Sequence, residues 1–381
     1  MIIRILTILF LLSAKTIFCQ GKGSVMTDWI ESESIANNIW SDTSKQEVMV
    51  YLPPSYKDSE KNYPTLYFLT GLSAEVEIMF NGRIKGFKLN ESLDSLIRNG
   101  AINEMIVVVA TSKVDILNSG VRMCTFYNNS TINGNWEDFI VNDLVHFIDN
   151  KYRTQKTNFA RGIAGHSVGG YGAIRIGLSH PDIFGYAYSM SFGMLNPSKY
   201  GEPVFLTSNE RNNGLYNLIN EISELPYNDA LTKLGDGVIE RGLLFVPIAY
   251  ATSFSSLPDL KPPFIKMPLT LVNDSVQIDN SNFSDWHLNG YGIIDSLVNN
   301  HSKNQVQISE IVMEIGTHDS DFFIEGCNYT SDLLIKNKIN HQLIFNNSSH
   351  AGEFQKRIEF YMLPYFSKRL GKEYSNIMYY P

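Results

Sequence analysis

The stretch Gly165-His166-Ser167-Val168-Gly169-Gly170 decides the fold, because it joins a predicted strand to a predicted helix through a tight turn. Residues 159–164 before it read as a strand, and residues 168–178 after it are rich in small residues and read as a helix. The glycines are needed there because larger side chains would collide across so tight a turn. This context predicts an elbow that exposes the Ser167 hydroxyl from strained backbone. The alternative is a glycine-rich turn with an incidental serine.

Strands and helices alternate on both sides of this turn. The predicted strands are residues 47–52, 65–69, 105–110, 158–165, 184–190, 308–315 and 342–345. The predicted helices are residues 89–98, 136–152, 168–178, 321–338 and 353–370. Strands that alternate with helices of this length need parallel crossovers, so the sequence predicts an α/β fold: a mostly parallel, doubly wound sheet with helices on both faces.

The interval at about residues 195–285 interrupts this alternation. It is rich in proline and dotted with aromatic residues, and its helix-like pieces lie near 208–222 and 226–234. The segment is too apolar for a linker. We therefore predict a cap inserted into one domain that spans residues 21–381, and not a second domain.

Residues 1–20 predict a secretory signal peptide. Arg4 precedes a short apolar run at 5–12, and polar residues follow it. This predicts an exported protein, periplasmic or extracellular, cleaved near residue 20, with lipid attachment at Cys19 as the alternative. No later stretch is long and apolar enough to predict a membrane span, so no integral membrane association is expected.

The composition excludes several classes of protein. The 381 residues are 44% hydrophobic, which is too apolar for a disordered chain. With 31 Lys+Arg against 39 Asp+Glu, the net charge of −8 argues against a nucleic-acid partner. Three cysteines are too few for a disulfide scaffold or a cysteine zinc site, and Cys124 and Cys327 can pair or stay as buried thiols. We expect no metal and no cofactor, and the oligomeric state stays open.

An elbow serine needs a base and an acid, which follow it in the chain order Ser, Asp/Glu, His. His350 lies in a loop between the last predicted strand and the last predicted helix, at the carboxyl edge of the sheet. His180 reads as a helix-end residue and His341 as a strand residue. His350 is therefore the predicted base.

The predicted acid is Asp319, in the loop that follows the strand at 308–315. Asp321 is predicted to cap the next helix, and Glu314 to point from within the strand. His318 adjoins the acid in a loop that must present only one of the two side chains, so it is not the predicted base.

Acyl transfer also needs two donors for the oxyanion. The amide of Val168 follows the nucleophile directly, and the amide of Leu72 lies in the loop after the strand at 65–69. Trp136 and His166 are candidates for substrate contact. For Trp136 the alternative is a hydrophobic staple at the start of its helix.

Short motifs along the chain, together with the elbow, carry a family resemblance. These are VYLPPSY at 50–56, YPTLYFLTGL at 63–72, FIDNKYRT at 147–154, HPDIFG at 180–185 and GTHD at 316–319. Together they resemble the esterase D family, or carbohydrate esterase family 1, which includes S-formylglutathione hydrolases, feruloyl and acetyl-xylan esterases, siderophore esterases and antigen 85 mycolyltransferases. The resemblance covers most of residues 45–192 and 305–370.

The resemblance implies an α/β-hydrolase fold, with Ser167 as nucleophile, Asp319 as acid and His350 as base. It implies Leu72 and Val168 as the oxyanion donors. The chain departs from the family's pattern in three places. Many members carry histidine where Thr70 stands, residues 349–352 lack the family's Gly-Gly-His-Asp-Trp setting, and residues 195–285 have no counterpart in compact members.

The sequence thus predicts an exported serine carboxylic-ester hydrolase that works through an acyl-enzyme. The expected substrate is a small-molecule or carbohydrate-linked, aryl or siderophore-type ester. One alternative is an acyltransferase of antigen 85 type, in which a sugar or lipid hydroxyl replaces water. Another is a catalytically silent carbohydrate- or lipid-binding relative.

Overall fold

A computed structural model describes the greater part of the chain. The described residues are 21–40, 42–72, 74–116, 122–192, 209–240, 245–257, 259, 261–262, 264–265, 267–279, 281, 290 and 292–371. The predicted signal peptide, Cys19 and parts of the predicted cap lie outside them.

An eight-stranded sheet forms the centre of the molecule. Its strands are β1 (Ser24–Glu31), β2 (Lys45–Leu52), β3 (Thr65–Leu69), β4 (Ile106–Ala110), β5 (Arg161–His166), β6 (Tyr186–Met190), β7 (Glu310–Gly316) and β8 (His341–Asn346). They lie in the order β1-β2-β4-β3-β5-β6-β7-β8. β2 is antiparallel to both its neighbours, and every pair from β4 to β8 is parallel.

Helices cover the sheet. They are α1 (Leu89–Arg98), α2 (Trp136–Asp138, Phe139–Leu144 and Val145–Lys151), α3 (Val168–Ser179), α4 (Asn209–Glu224), α5 (Tyr227–Glu240), α6 (Phe245–Phe254), α7 (Ile293–His301), α8 (Asp321–Lys336) and α9 (Phe354–Arg357, Ile358–Met362 and Leu363–Arg369). The middle parts of α2 and α9 are π-helical.

Shorter elements connect these strands and helices. They are a helical turn at Glu33–Ala36, 3₁₀ turns at Pro54–Tyr56, Val76–Met79 and Asn158–Ala160, and strand pairs Lys113–Asp115 with Arg122–Cys124, Asn129–Ser130 with Gly134–Asn135, and Leu269–Val272 with Ser275–Ile278.

The core lies on both faces of the sheet, as β4 shows. Val108 belongs to the apolar cluster that contains α3, whereas Val107 and Val109 belong to the cluster that contains α1 and α9. Because successive side chains of a strand point to opposite faces, a strand that is apolar throughout is covered on both sides. The prediction of a doubly wound, mostly parallel sheet is confirmed.

The structure differs from the sequence prediction at several element ends. Residues 158–160 form a 3₁₀ turn, so β5 begins only at Arg161. The edge strand β1 and helices α6 and α7 were not predicted. In α6, Pro247 sits within the first turn, where proline is tolerated because that N–H has no intrahelical partner.

Two glycines of the elbow are required by close backbone approach. A Cβ at Gly169 would lie 2.1 Å from the carbonyl oxygen of Leu69, and a Cβ at Gly165 would lie 2.3 Å from the backbone of Gly169. The start of α3 is therefore packed directly against the end of β3. This contact brings the loop after β3 beside the elbow.

Replacing Gly169 should destabilise the fold. We expect Gly169→Ala to lower the free energy of unfolding by about 1–3 kcal/mol, because the methyl group must displace the end of β3. Urea unfolding of both proteins measures the loss. Gly21→Ala is the control, since an added Cβ there meets no atom of the described residues within 4 Å. Equal stability of the two variants would contradict this packing argument.

The described part of the predicted cap packs against the main core. Leu218 of α4 and Ile248 of α6 belong to the same apolar cluster as α3. Ser130 Oγ donates to the carbonyl of Thr252 at 2.6 Å, which ties α6 to the loop before α2. The division of the chain into one domain with a cap stays a prediction.

Candidate active site

Ser167 lies at the turn between β5 and α3. Its backbone adopts φ 57° and ψ −119°, and its N–H donates to the carbonyl of Met190 at 2.9 Å. A positive φ is uncommon for a residue other than glycine, and such strain persists where the surroundings hold it in place. The elbow therefore presents the hydroxyl at the carboxyl edge of the sheet.

Three side chains predicted from the sequence meet at this edge. Ser167 Oγ lies 2.9 Å from His350 Nε2, and His350 Nδ1 lies 3.0 Å from each carboxylate oxygen of Asp319. The Asp319 side chain is fully buried, whereas a third of the His350 side chain is exposed. Phe323 stacks on the His350 ring with centroids 4.8 Å apart. Hydroxyl, imidazole and carboxylate thus form one hydrogen-bonded chain.

The surroundings of Asp319 favour its ionised form. Burial by itself raises its pKa, but the hydrogen bond and the charge of His350 outweigh this and hold the pKa below its usual value. The Ser320 N–H adds a bond of 2.8 Å to Oδ1. An ionised carboxylate accepts the proton of Nδ1, so Nε2 is left to accept from the Ser167 hydroxyl.

The two predicted oxyanion donors lie in segments that adjoin Ser167. Val168 is the first residue of α3, and Leu72 follows the end of β3. A Cβ at Gly71 would lie 3.8 Å from Ser167 Cβ, so the loop that carries Leu72 adjoins the nucleophile. Their roles as donors stay a prediction.

Hydrogen bonds hold this loop in place. The Tyr127 hydroxyl, fully buried, donates to the carbonyl of Thr70 at 2.9 Å. The hydroxyls of Thr70 and Thr111 both donate to the carbonyl of Ala74, at 3.0 and 2.9 Å. Thr70, where many family members carry histidine, therefore anchors the loop through its own side chain.

The two residues predicted to contact substrate have different surroundings. Trp136 is 1% exposed, and its Nε1–H donates to the carbonyl of Asn133 at 2.8 Å. With its ring packed on Phe139, it is a core residue without an exposed face, as the staple alternative implied. His166 is half-buried and bonds through Nε2 to the carbonyl of His350 at 2.8 Å. Trp136 is therefore part of the core, and His166 contacts the backbone of the predicted base; a role of His166 in substrate contact stays a prediction.

Other sequence predictions near the site have clear outcomes. His318 is exposed, while its neighbour Asp319 is buried. Asp321 is the first residue of α8 and Ser320 occupies the cap position, so the prediction that Asp321 caps this helix is wrong by one residue. Cys124 and Cys327 are both buried, and no disulfide joins them.

Sequence reasoning missed a charged pair beneath the site. Arg357 Nε lies 2.8 Å from Glu314 Oε1, with the two side chains 1% and 0% exposed. Glu314 was interpreted only as a strand residue, and Arg357 was not singled out. The available signal was a charged residue, Arg357, among the apolar residues of the last predicted helix. This signal becomes informative only once the structure shows that Glu314 is its partner.

The environment of His166 makes the stability of the fold sensitive to acid. Burial, and then the positive charge of protonated His350, lower the pKa of His166 to about 3. Between its usual value of about 6.5 and about 3, the unfolded chain binds one more proton than the folded chain, so the free energy of unfolding decreases as the pH is lowered through this range.

We therefore expect His166→Gln to lose less stability than the wild type between pH 7 and pH 4. Glutamine does not titrate, and its amide can still donate to the His350 carbonyl. Urea unfolding at the two pH values measures the difference. Equal losses in the two proteins would contradict a His166 that stays neutral in the folded protein.

Comparisons with known proteins assign the chain to a family. The Esterase family model matches residues 43–322 of the chain. The chain belongs to the Esterase family. This confirms the family relationship predicted from the sequence motifs.

Two curated esterases are similar to parts of the chain. An endo-1,4-beta-xylanase/feruloyl esterase of Xylanibacter ruminicola is 29% identical over 170 residues, which are 43% of this chain. An esterase of Mycobacterium tuberculosis is 30% identical over 148 residues, 38% of this chain. The matches span only 22% and 28% of the two relatives' own lengths.

Solved structures show the same fold over nearly the whole chain. A ferulic acid esterase is 19% identical with a TM-score of 0.55, covering 92% of this chain and 99% of its own. The S-formylglutathione hydrolase of Agrobacterium tumefaciens is 14% identical with a TM-score of 0.54, covering 92% and 96%. The chain thus has the α/β-hydrolase fold.

Two kinds of feature are absent from the described residues. Within those segments, no group of three or more His, Cys, Asp or Glu side chains could hold a metal ion. Across the same segments, no helix has both the length and the apolar character that crossing a membrane requires.

Proposed function

We propose that the protein is a serine carboxylic-ester hydrolase in which Ser167 is the nucleophile, His350 the base and Asp319 the acid. The observation that carries this proposal is the hydrogen-bonded chain from Ser167 Oγ to His350 Nε2, at 2.9 Å, and from Nδ1 to Asp319, at 3.0 Å. Membership of the Esterase family supports it. A nucleophile, a base and a group that orients the base form the minimal set for acyl transfer through an acyl-enzyme.

In the first half-reaction, His350 Nε2 takes the proton of the Ser167 hydroxyl as Oγ attacks the ester carbonyl carbon. The carbonyl oxygen becomes an oxyanion, which the amides of Val168 and Leu72 stabilise by hydrogen bonds. His350 then gives its proton to the leaving alcohol oxygen. The carbon–oxygen bond breaks, and the acyl group stays on Ser167.

In the second half-reaction, a water molecule attacks the acyl carbon while His350 Nε2 takes its proton. The same two amides stabilise the second oxyanion. The acid is released, and His350 returns the proton to Ser167 Oγ. Throughout both halves, ionised Asp319 holds the imidazole in one tautomer and stabilises its protonated form.

We propose a carbohydrate-linked, aryl or siderophore-type ester as the substrate class. The support is the similarity to a curated protein whose name includes feruloyl esterase activity. The proposed cap, at about residues 195–285, lies between Ser167 and Asp319 along the chain, and its described part packs on the core through α6. Export is likewise a proposal, supported by the sequence of residues 1–20.

A rapid-quench experiment with a panel of feruloyl, acetyl, short acyl and siderophore esters tests the function. We expect a burst of alcohol or phenol close to one equivalent per protein, with the acyl mass on the peptide that contains Ser167. A panel without turnover, or an acyl group on another residue, would contradict the proposal. Adding a sugar or lipid alcohol separates the alternatives, because an acyltransferase forms a new ester and a hydrolase releases free acid.

A further inference from the structure

The main-chain carbonyl of His350 accepts an unusual number of hydrogen bonds. His166 Nε2 lies 2.8 Å from it, Ser191 Oγ 3.1 Å and Arg357 Nη1 3.1 Å. A carbonyl oxygen has two lone pairs, so the His166 and Arg357 donors already saturate it. The three groups come from the end of β5, the end of β6 and helix α9, and together they fix the peptide group that carries the proposed base.

Arg357 links this carbonyl to the interior. Its Nη1 donates to His350, its Nη2 donates to Ser191 Oγ at 3.0 Å, and its Nε donates to Glu314 Oε1 at 2.8 Å. A guanidinium group is planar and cannot lose its proton, so it can hold three acceptors in one fixed geometry. The flexible, single ammonium group of lysine cannot do this.

Glu314 neutralises this buried cation. It is fully buried in β7, the Tyr188 hydroxyl donates to its Oε2 at 2.7 Å, and the Asn346 amide donates to its Oε1. Removing one member of a buried ion pair leaves an uncompensated charge and is strongly destabilising. The pair is therefore a rigid base for the loop between β8 and α9.

Ser191 ties the same group to the acid. It is fully buried with φ 52°, and its N–H donates to the carbonyl of Glu314 at 2.7 Å. Its hydroxyl has one proton and lies within reach of both the His350 carbonyl and Asp319, and its position beside Asp319 helps to lower the pKa of that carboxyl. A positive φ at a buried serine is strain that the surrounding bonds must hold. Arg357 thus contacts both the loop of the base and the serine beside the acid.

We propose that Arg357, neutralised by Glu314, is a positioning residue that sets where the His350 ring stands between Asp319 and Ser167. Arg357 acts through the His350 main chain and Ser191, and does not touch the reacting atoms. This inference rests on the proposed function, because it assigns the pair a part in the same reaction. If Arg357 has this role, removing it should lower kcat even in a variant that is as stable as the wild type.

The decisive variant removes both charges together, as Arg357→Met with Glu314→Gln. The glutamine still accepts from Tyr188, and replacing a buried ion pair by uncharged groups is often neutral for stability. With an aryl acetate, we expect an unchanged KM and a kcat about 10- to 100-fold lower, because a small misplacement of a catalytic group has an effect of that size. A second variant, Arg357→Lys, keeps the charge and should lose part of the same kcat.

The matched control is Arg161→Met with Asp149→Asn, a buried pair at the amino end of β5, where Nη2 and Oδ2 are 2.7 Å apart. It should change kcat by less than about twofold, since it lies at the far end of the strand from Ser167. Thermal unfolding of all variants checks the fold. A kcat at the wild-type level in either Arg357 variant would overturn the inference.

A second readout does not require turnover. The Nδ1–H proton of His350 gives a low-field NMR resonance while it bonds to Asp319, and we expect the resonance to broaden or shift in the Arg357→Met/Glu314→Gln variant but not in the control. An unchanged resonance would overturn the inference. If the wild-type protein hydrolysed no ester, the proposed function would be contradicted. The positioning of the His350 ring by Arg357 could still be tested, because the resonance does not depend on turnover.

Discussion

Ser167→Ala should lower kcat/KM for an aryl ester by about 10,000-fold or more, because it removes the atom that forms the acyl-enzyme. The substitution deletes a single oxygen. The backbone bond from residue 167 to the carbonyl of Met190 stays, and so does the contact between α3 and β3. We therefore expect the thermal unfolding midpoint to stay close to that of the wild type.

Ser179→Ala, at the other end of the same helix, is the control and should hydrolyse the ester at the wild-type rate. Steady-state kinetics on both variants, from the same preparation, give the comparison. If Ser167→Ala retained more than about a tenth of the wild-type kcat/KM, another nucleophile would be at work.

Asp319→Asn should have the second largest effect, a fall in kcat of about 1,000- to 10,000-fold. The side chain keeps its size but exchanges an acceptor oxygen for an amide that donates. His350 Nδ1 then no longer meets a carboxylate, so the ring can take the tautomer in which Nε2 carries the proton and cannot accept from Ser167.

Asp321→Asn is the paired control, two residues away on the exposed start of α8. Its kcat should stay within about twofold of the wild type, as is usual for a surface position. Were Asp321→Asn the more damaging of the two, the acid would be wrongly assigned.

The elements that the sequence predicts well are those with a local signal. The elbow is encoded in six consecutive residues, 165–170, and the apolar run of β4 shows a strand covered on both faces. Chain order and loop position were enough to select His350 and Asp319, because the carboxyl ends of parallel strands meet at one edge. The structure brings these two side chains to Ser167.

The elements that the sequence did not predict depend on contacts between distant residues. Arg357 becomes meaningful only when β7 places Glu314 and the loop after β8 places the His350 carbonyl within reach. For Trp136, the sequence does not distinguish a residue that contacts substrate from a core residue, because its exposure cannot be read from the pattern of one helix. In α6, Pro247 suggested irregular structure, although proline is compatible with the first turn.

The most direct test of the central claim is the intact mass of the purified protein after treatment with a fluorophosphonate. An activated serine oxygen attacks the phosphorus and displaces fluoride, so the probe reports a nucleophile with its base in place. The account predicts one adduct per chain in the wild type, located on Ser167, and none in Ser167→Ala. A folded wild-type protein that takes up no adduct, or carries it on another residue, would contradict it.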